Sequence, residues 1–371
     1  MKTGTLKSSP KRKLLFYMPG LVDGGAERVW ALLASYFAGE GHEVILAVDF
    51  AAGPNAPDLD ERVRVEPLGQ GHLANIRALA GLMKRERPDI ALSAIAGSNV
   101  KILAARLLAR STMPVLIAYH GFEEYRTGRL SWISCISLPI LSRMAARTIA
   151  VSDGLKASLI TRWRAAPHRT IRIYNPVDIA SRNLEISKAE LARRDRLILA
   201  VGRLSREKNL ALLIEAAGLM TTRSAEIVIL GEGPERAALQ AQIARLGLEQ
   251  GISMPGYCAA PEEWYGKARC LAVPSDTESF GNVVVEALAH GLPVVATDCA
   301  GPREILQDGR FGTLIPRGQA GAMAKALDAA LADPGEPGPR RQRAAEFSAR
   351  NGCKAYETLI EEVLEEVSRQ P

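Results

Sequence analysis

Short apolar runs alternate with segments of helical periodicity along the whole chain. In the first half the strand-like runs are KLLFYMP (13–19), EVILAVDF (43–50), VRVEPL (63–68), IALSAI (90–95), PVLIAYH (114–120), TIAVS (148–152) and IRIYNPV (171–177). Between them the spacing predicts helices from Gly25, near 73–87, near 99–109 and near 130–146. The second half repeats the pattern with LILAVGR (197–203), EIVILG (226–231), ISMPG (252–256), CLAVPS (270–275), PVVATD (293–298) and GTLIP (312–316). Continuous β-branched runs, as opposed to strict alternation, indicate strands buried on both faces, as in a parallel sheet covered by helices. The pattern predicts an α/β chain of two Rossmann-like, doubly wound parallel-sheet domains. The join falls near YNPVD (174–178), where Pro176 stops the strand. DPGEPGPRRQ (333–342) reads as a Pro/Gly-rich break, and 343–369 is helical with an acidic end. The expected organisation is a loose tail over 1–12, a first domain over 13–178, a second over 179–345 and a C-terminal helix over 346–371 that packs back toward the first domain. Ligands of such folds bind outside the carboxyl ends of the strands, so the site is expected in a central cleft that the two domains face.

Composition fits this picture. The 371 residues suit two domains, and 47% apolar with 24% charged residues is enough to bury a sizeable core. No apolar run approaches the ~20 residues that span a bilayer. The start, MKTGTLKSSPKRK, is polar and basic with no h-region after it, which argues against a secretory signal. Five scattered cysteines without a C-x-x-C suit unpaired thiols in a reducing cytoplasm. Charge is uneven: residues 1–178 hold 24 Lys/Arg against 15 Asp/Glu, a net +9, and the remainder holds 23 against 26, a net −3. A basic first half could attract an anionic membrane, a phosphorylated acceptor or nucleic acid, or could be only a solvated surface. No helix-turn-helix and no aromatic-basic platform supports nucleic acid.

The stretch SDTESFGNVVVEALAHGLPVVA (275–296) carries the most chemistry. Strand CLAVPS ends at Ser275, a helix starts near Gly281, and Gly291-Leu292-Pro293 ends it. Glu278 therefore sits in the strand-to-helix turn, and Glu286 about 1.5 turns inside the helix. The amides of Phe280, Gly281 and Asn282, after Ser279, form the positive end of that helix, a ready anion site. Gly281 lacks the Cβ that would obstruct a phosphate. A diphosphate there would have a carboxylate on each side to accept hydrogen bonds from sugar and ribose hydroxyls. The alternative is a strand–turn–helix with an incidental glutamate.

Glu278 to Glu286 resembles the Glu-x7-Glu motif of the retaining glycosyltransferases of family 4, which have the two-domain GT-B fold. Other stretches agree in order across nearly the whole chain. PGLVDGGAER (19–28) resembles the family's N-terminal glycine loop, and VSDGLK (151–156) and IYNPVD (173–178) its domain-junction signatures. AVGRLSREKNLALLIEA (200–216), ILGEGPE (229–235) and GLPVVATDCAGPREIL (291–306) match too. The resemblance implies transfer, with retention, of a hexose or N-acetylhexosamine from a nucleotide-diphosphate sugar, most often UDP-linked, to a cell-surface glycan or lipid-linked acceptor.

It also implies roles. Arg203 and Lys208, near Gly202, would stabilise the charge developing on the leaving diphosphate, Arg as a fork and Lys as a point charge. With two cations in place no metal is required, and no cofactor is expected. Gly24 and Gly25 would face the donor phosphates; G-x-x-x-G-G differs from a dinucleotide fingerprint, for which Asp49 is the only acidic candidate. His120, at the end of PVLIAYH, resembles the family's histidine beside the reacting sugar. Tyr257, in GYCAAPEE (256–263), would border the base. The D-x-D Asp58-Leu59-Asp60 reads as a polar loop and not a metal pair. Glu123 and Glu124 read as a solvated pair. RLSWISCISLPILSRMAAR (129–147) could lie in a membrane interface, but its near-uniform apolarity favours a core helix interrupted near Pro139. The expected location is cytoplasmic, with peripheral contact on the inner face of the plasma membrane.

Overall fold

The computed structural model describes residues 10–21, 24–50, 59–179 and 186–369. Most of the expected tail, and Asp58 of the D-x-D, lie outside them. The strands follow the apolar runs: β1 Lys13–Gly20, β2 Glu43–Phe50, β3 Arg64–Pro67, β4 Ile90–Ala94, β5 Val115–Tyr119, β6 Arg147–Ala150, β7 Thr170–Arg172, β8 Leu197–Val201, β9 Glu226–Leu230, β10 Ile252–Gly256, β11 Cys270–Val273, β12 Val294–Thr297 and β13 Thr313–Ile315.

The chain divides into two compact units. One collects the residues up to Ala150 with Ser158–Ile171 and the chain from Cys353; the other holds Val151–Ala157 and Arg172–Gly352. The strands form a seven-stranded sheet ordered β3-β2-β1-β4-β5-β6-β7 and a six-stranded sheet ordered β10-β9-β8-β11-β12-β13. Leu14 of β1 pairs with Val44 of β2 on one side and Ile90 of β4 on the other, all parallel. Likewise β8 lies parallel between β9 and β11. Strand order thus reverses direction between β1 and β4 and between β8 and β11. Loops leaving adjacent strands at such a switch point turn to opposite faces and open a crevice at the carboxyl ends.

Burial explains the continuous apolar runs. Leu14 to Met18 of β1 are all inaccessible, covered on both faces. In the second unit Ile198 and Ile229 pack with Leu213 and Leu327 from the flanking helices. Trp30, on the helix Gly25–Gly39, is an aromatic hub of the first unit, meeting Phe16, His120 and Tyr356 edge-on at 6.3, 5.3 and 5.9 Å. Tyr356 lies on the C-terminal helix Ala349–Ser368.

Three expectations on local structure are corrected. The run 171–177 is strand only to Arg172; beyond it Tyr174 turns into a cluster with Phe280 and Phe347. The break at 333–342 contains a helix, Pro337–Ala345, because its prolines occupy the first turn, where a missing N–H costs no helical bond. The segment 129–147 forms two helices, Arg129–Ile136 and Leu138–Met144, and it is not a core element throughout. Its small residues face inward: Ser134 bonds the buried Tyr119 hydroxyl at 2.8 Å, and Ser131 lies against Gly97. Close approach of the helix Ala96–Ala109 selects that small polar face, which leaves Trp132, Ile133, Ile136 and Ile140 exposed.

Candidate active site

The chemistry-bearing residues fall in two groups, one at the switch point of each sheet. In the second unit, the turn after β8 carries Gly202, Arg203 and a 3-10 turn, Arg206–Lys208. The turn after β11 runs from Pro274 to Gly281, where the helix Asn282–Ala289 begins. Hydrogen bonds tie these turns together: Asp276 N–H donates to the Glu207 carbonyl at 2.9 Å, and Asn209 Nδ2 to Asp276 Oδ1 at 2.9 Å. Asn209 has φ +43°, a left-handed conformation asparagine tolerates. This frame brings Lys208 Nζ onto Glu278 Oε2 as a salt bridge and short hydrogen bond across 70 residues of sequence. Burial pulls the Lys208 ammonium down, but the Glu278 charge beside it outweighs that and its pKa is raised, so the lysine stays charged. Both residues line a cavity of about 270 Å³ with Gly202, Ser275 and Val283.

Backbone packing supports this loop from behind. A Cβ on Gly231, at φ +138°, would lie 2.0 Å from the Gly202 carbonyl oxygen, so only glycine lets the β9 turn approach the β8 turn. Gly281, at φ +101°, caps its helix, with the Glu278 side chain and Val284 both 3.3 Å from where a Cβ would stand. Arg203 is exposed and, among the described residues, has no ion-pair partner. Phe280 is buried in the aromatic cluster, so it holds the turn through packing. Ser279 is also buried. Asn282 Oδ1 accepts from Asn175 at 3.1 Å.

Glu286 lines a different cavity, of about 690 Å³, together with Tyr265, His290 and Arg194. The Tyr265 hydroxyl donates to Glu286 Oε2 at 2.7 Å, and its ring stacks on His290 at 5.2 Å. His290 Nδ1 also meets the Glu286 carbonyl at 2.8 Å, at the helix end. Tyr257 is exposed after β10.

In the first unit, Gly24 caps the helix that begins at Gly25, and the Glu27 carboxylate occupies the space a Cβ on Gly24 would take. His120 follows β5, with Trp30 edge-on. The pairing of Glu123 with Glu124 as solvated residues is corrected. Glu123 is half-buried and bonds Arg126 at 3.0 Å, whereas Glu124 is buried. Its carboxylate accepts backbone N–H groups from Ala96, His120 and Gly121 at 2.6, 2.5 and 2.8 Å. Asp49 is occupied by Lys101 at 2.5 Å and the Tyr17 hydroxyl at 2.8 Å, which removes the ribose role a dinucleotide site would need. Asp60 is bound to Arg62 at 2.7 Å. Among the described residues no group of three or more His, Cys, Asp or Glu is placed to hold a metal ion, and no helix is long and apolar enough to cross a membrane.

Two family models match consecutive parts of the chain: that of Glycosyltransferase Family 4 matches residues 23–181, and that of Glycosyl transferases group 1 matches residues 181–350. The chain belongs to glycosyltransferase family 4. A GDP-mannose-dependent alpha-mannosyltransferase of Mycobacterium tuberculosis is 30% identical over 75% of this chain and 76% of its own. An N-acetylgalactosaminyltransferase of Campylobacter jejuni, whose name specifies a diphospho-undecaprenol-linked acceptor, is 32% identical over 56% of this chain; the match spans about half, 55%, of that relative. A structure of Anabaena HepE in complex with UDP superposes with a TM-score of 0.78, covering 94% of this chain and all of that one at 21% identity. The glycosyltransferase therefore has the GT-B fold.

Sequence reasoning missed Glu124, Tyr265 and the Asn209–Asp276 tie in this glycosyltransferase. Glu124 follows His120-Gly121 closely enough to fold back on their amides, a local signal that was available. The contact of Tyr265 with Glu286 joins separate elements and leaves no mark in spacing.

Proposed function

We propose that this family 4 glycosyltransferase moves a hexose or N-acetylhexosamine, with retention and without a metal, from a UDP-sugar to a lipid-linked or cell-surface glycan. The observation that carries the reading is the Lys208–Glu278 pair lining a cavity at the β8/β11 switch point. A donor diphosphate competes with Glu278 for the Lys208 ammonium. The carboxylate so released can accept from a sugar hydroxyl, and the ammonium stabilises the charge that develops as the sugar–phosphate bond breaks. Arg203, exposed and without an ion-pair partner among the described residues, supplies a second cation. Front-face attack assisted by the leaving phosphate accounts for retention. His120 contacts the sugar or acceptor, and Glu286 with Tyr257 serves the nucleoside.

The acceptor class draws support from the Campylobacter relative, and uridine from the HepE complex; the mycobacterial relative makes GDP-mannose the competing donor. Trp132, Ile133, Ile136 and Ile140 are exposed beside Arg126, Arg129 and Arg143. Exposed apolar side chains with arginines close to them in sequence suit an anionic lipid interface and support the reading that the enzyme works peripherally, on the inner face of the plasma membrane.

Nucleotide release from a panel of UDP-, GDP- and ADP-sugars, with and without polyprenyl-diphosphate glycan and with EDTA, tests the reading. UDP release that needs the lipid acceptor and survives EDTA supports it. Release only with a soluble acceptor, or loss with EDTA, contradicts the corresponding part. Trp132→Ser should weaken sedimentation with phosphatidylglycerol vesicles severalfold, leaving binding to zwitterionic vesicles as weak as before. Unchanged sedimentation with the anionic vesicles would remove the membrane contact.

A further inference from the structure

We infer that Glu124 is a positioning residue: a single buried carboxylate that clamps the turns after β4 and β5 to each other and thereby fixes His120 at the carboxyl end of β5, beside the switch-point strand β4. One carboxylate oxygen takes the amides of His120 and Gly121, at 2.5 and 2.8 Å; the other takes the amide of Ala96, at 2.6 Å. Those amides belong to separate chain segments, 24 to 25 residues apart in sequence, and the Glu124 carboxylate bonds both. The turn after β4 is itself strained. Ile95, a β-branched residue, has φ +73°, which persists only where the surroundings enforce it. Two further bonds reinforce the junction: Asn99 Nδ2 donates to the Ala118 carbonyl at 2.9 Å, and Ile95 N–H to the same carbonyl at 3.2 Å. On the far side of His120, the Trp30 ring limits its motion. A Cβ on Gly121 would press on the Glu124 side chain at 3.1 Å, so the turn and the clamp are fitted to each other.

The three bonds to this carboxylate all come from N–H donors, an arrangement suited to the ionised form. Burial nevertheless pushes its pKa up to about 7, with the three amides pulling the other way and Glu27 adding to the rise. The other titratable groups around it are His120 itself, Tyr119 on β5 and Cys135 on the helix Arg129–Ile136. Protonation puts a hydrogen on an oxygen that must accept, so the clamp loosens on one side as pH falls through neutrality. Stability moves the opposite way. A carboxyl with a raised folded pKa stabilises the folded chain most below its ordinary value of 4.5, and that contribution is lost as pH rises toward 7. The clamp is thus tightest where it is most costly to the fold.

The role of His120 beside the sugar rests on the proposed function; the clamp itself does not, and the first readout is independent of it. Amide exchange of Ala96, His120 and Gly121 in the full-length protein, corrected for intrinsic rates, should become at least fivefold faster from pH 8 to pH 6, while the melting temperature rises over the same interval. The His120 ring resonance should report the same transition. Glu124→Gln, a neutral isostere, should exchange at the loosened rate at both pH values and lose the transition. If glycosyl transfer is found, its kcat should fall about tenfold in Glu124→Gln with KM for the donor little changed, and the fall of wild-type kcat from pH 8 to pH 6 should be absent from the variant. Equal protection at both pH values in the wild-type protein overturns the inference, whether or not the variant folds. So does a variant with wild-type exchange and kcat. Loosening without any glycosyl transfer would retain the clamp and reject the proposed function.

Discussion

The two switch points share one strand topology and handle charge in opposite ways. In the second unit, Lys208 and Glu278 neutralise each other across a cavity, and side chains and backbone from both turns hold them in register. In the first, Glu124 is buried, and among the described residues the bonds to its carboxylate come from backbone amides. An ion pair can open to receive a charged ligand and regain its energy from the new partner. A carboxylate satisfied by amides has nothing to exchange; it can only hold. The comparison separates the proposed diphosphate site, whose pair can open, from a clamp proposed to keep a side chain still.

The largest effect is expected from the pair. Lys208→Ala should lower kcat by about 10²–10³-fold, the range for removing a group that stabilises developing transition-state charge, with the fold retained by circular dichroism. Steady-state nucleotide release measures it, and a wild-type rate would erase the distinction between the two regions. The next largest is on stability. Leu213→Ala, in the core behind the β8 turn, should cost about 2–5 kcal/mol in urea unfolding, since it removes a fully buried side chain. If it also lowers kcat as much as Lys208→Ala, the site depends on general rigidity more than on charge. Tyr265→Phe should have the smallest effect. It deletes one hydrogen bond to Glu286, worth about 1 kcal/mol, and should alter donor KM severalfold at most.

Much of this architecture was legible before the fold was seen. The helix Asn282–Ala289 and the strand before it are bracketed by residues with plain physical meaning: a cap at Gly281, a stop at Gly291 and a proline beyond. Fully buried runs such as Leu14–Met18 can belong only to covered strands. What was not legible depends on which face a neighbour covers. Trp132 and Ile140 look like core residues by composition, yet Ser131 and Ser134 take the inward face because a helix and a buried tyrosine hydroxyl approach them closely. Glu124 looked solvated because its third partner, the Ala96 amide, lies on another element. The resemblance singled out Lys208 and Glu278 for separate roles; that they pair was not legible, because spacing cannot show that two turns 70 residues apart meet.

Calorimetric titration of UDP into the wild-type protein and into Lys208→Ala tests the central claim most directly. The account predicts saturable binding to the wild type and at least tenfold weaker binding to the variant, with the loss growing as salt is lowered. Equal affinity in the two proteins would contradict it, as would no uptake of UDP, GDP or ADP by the wild type.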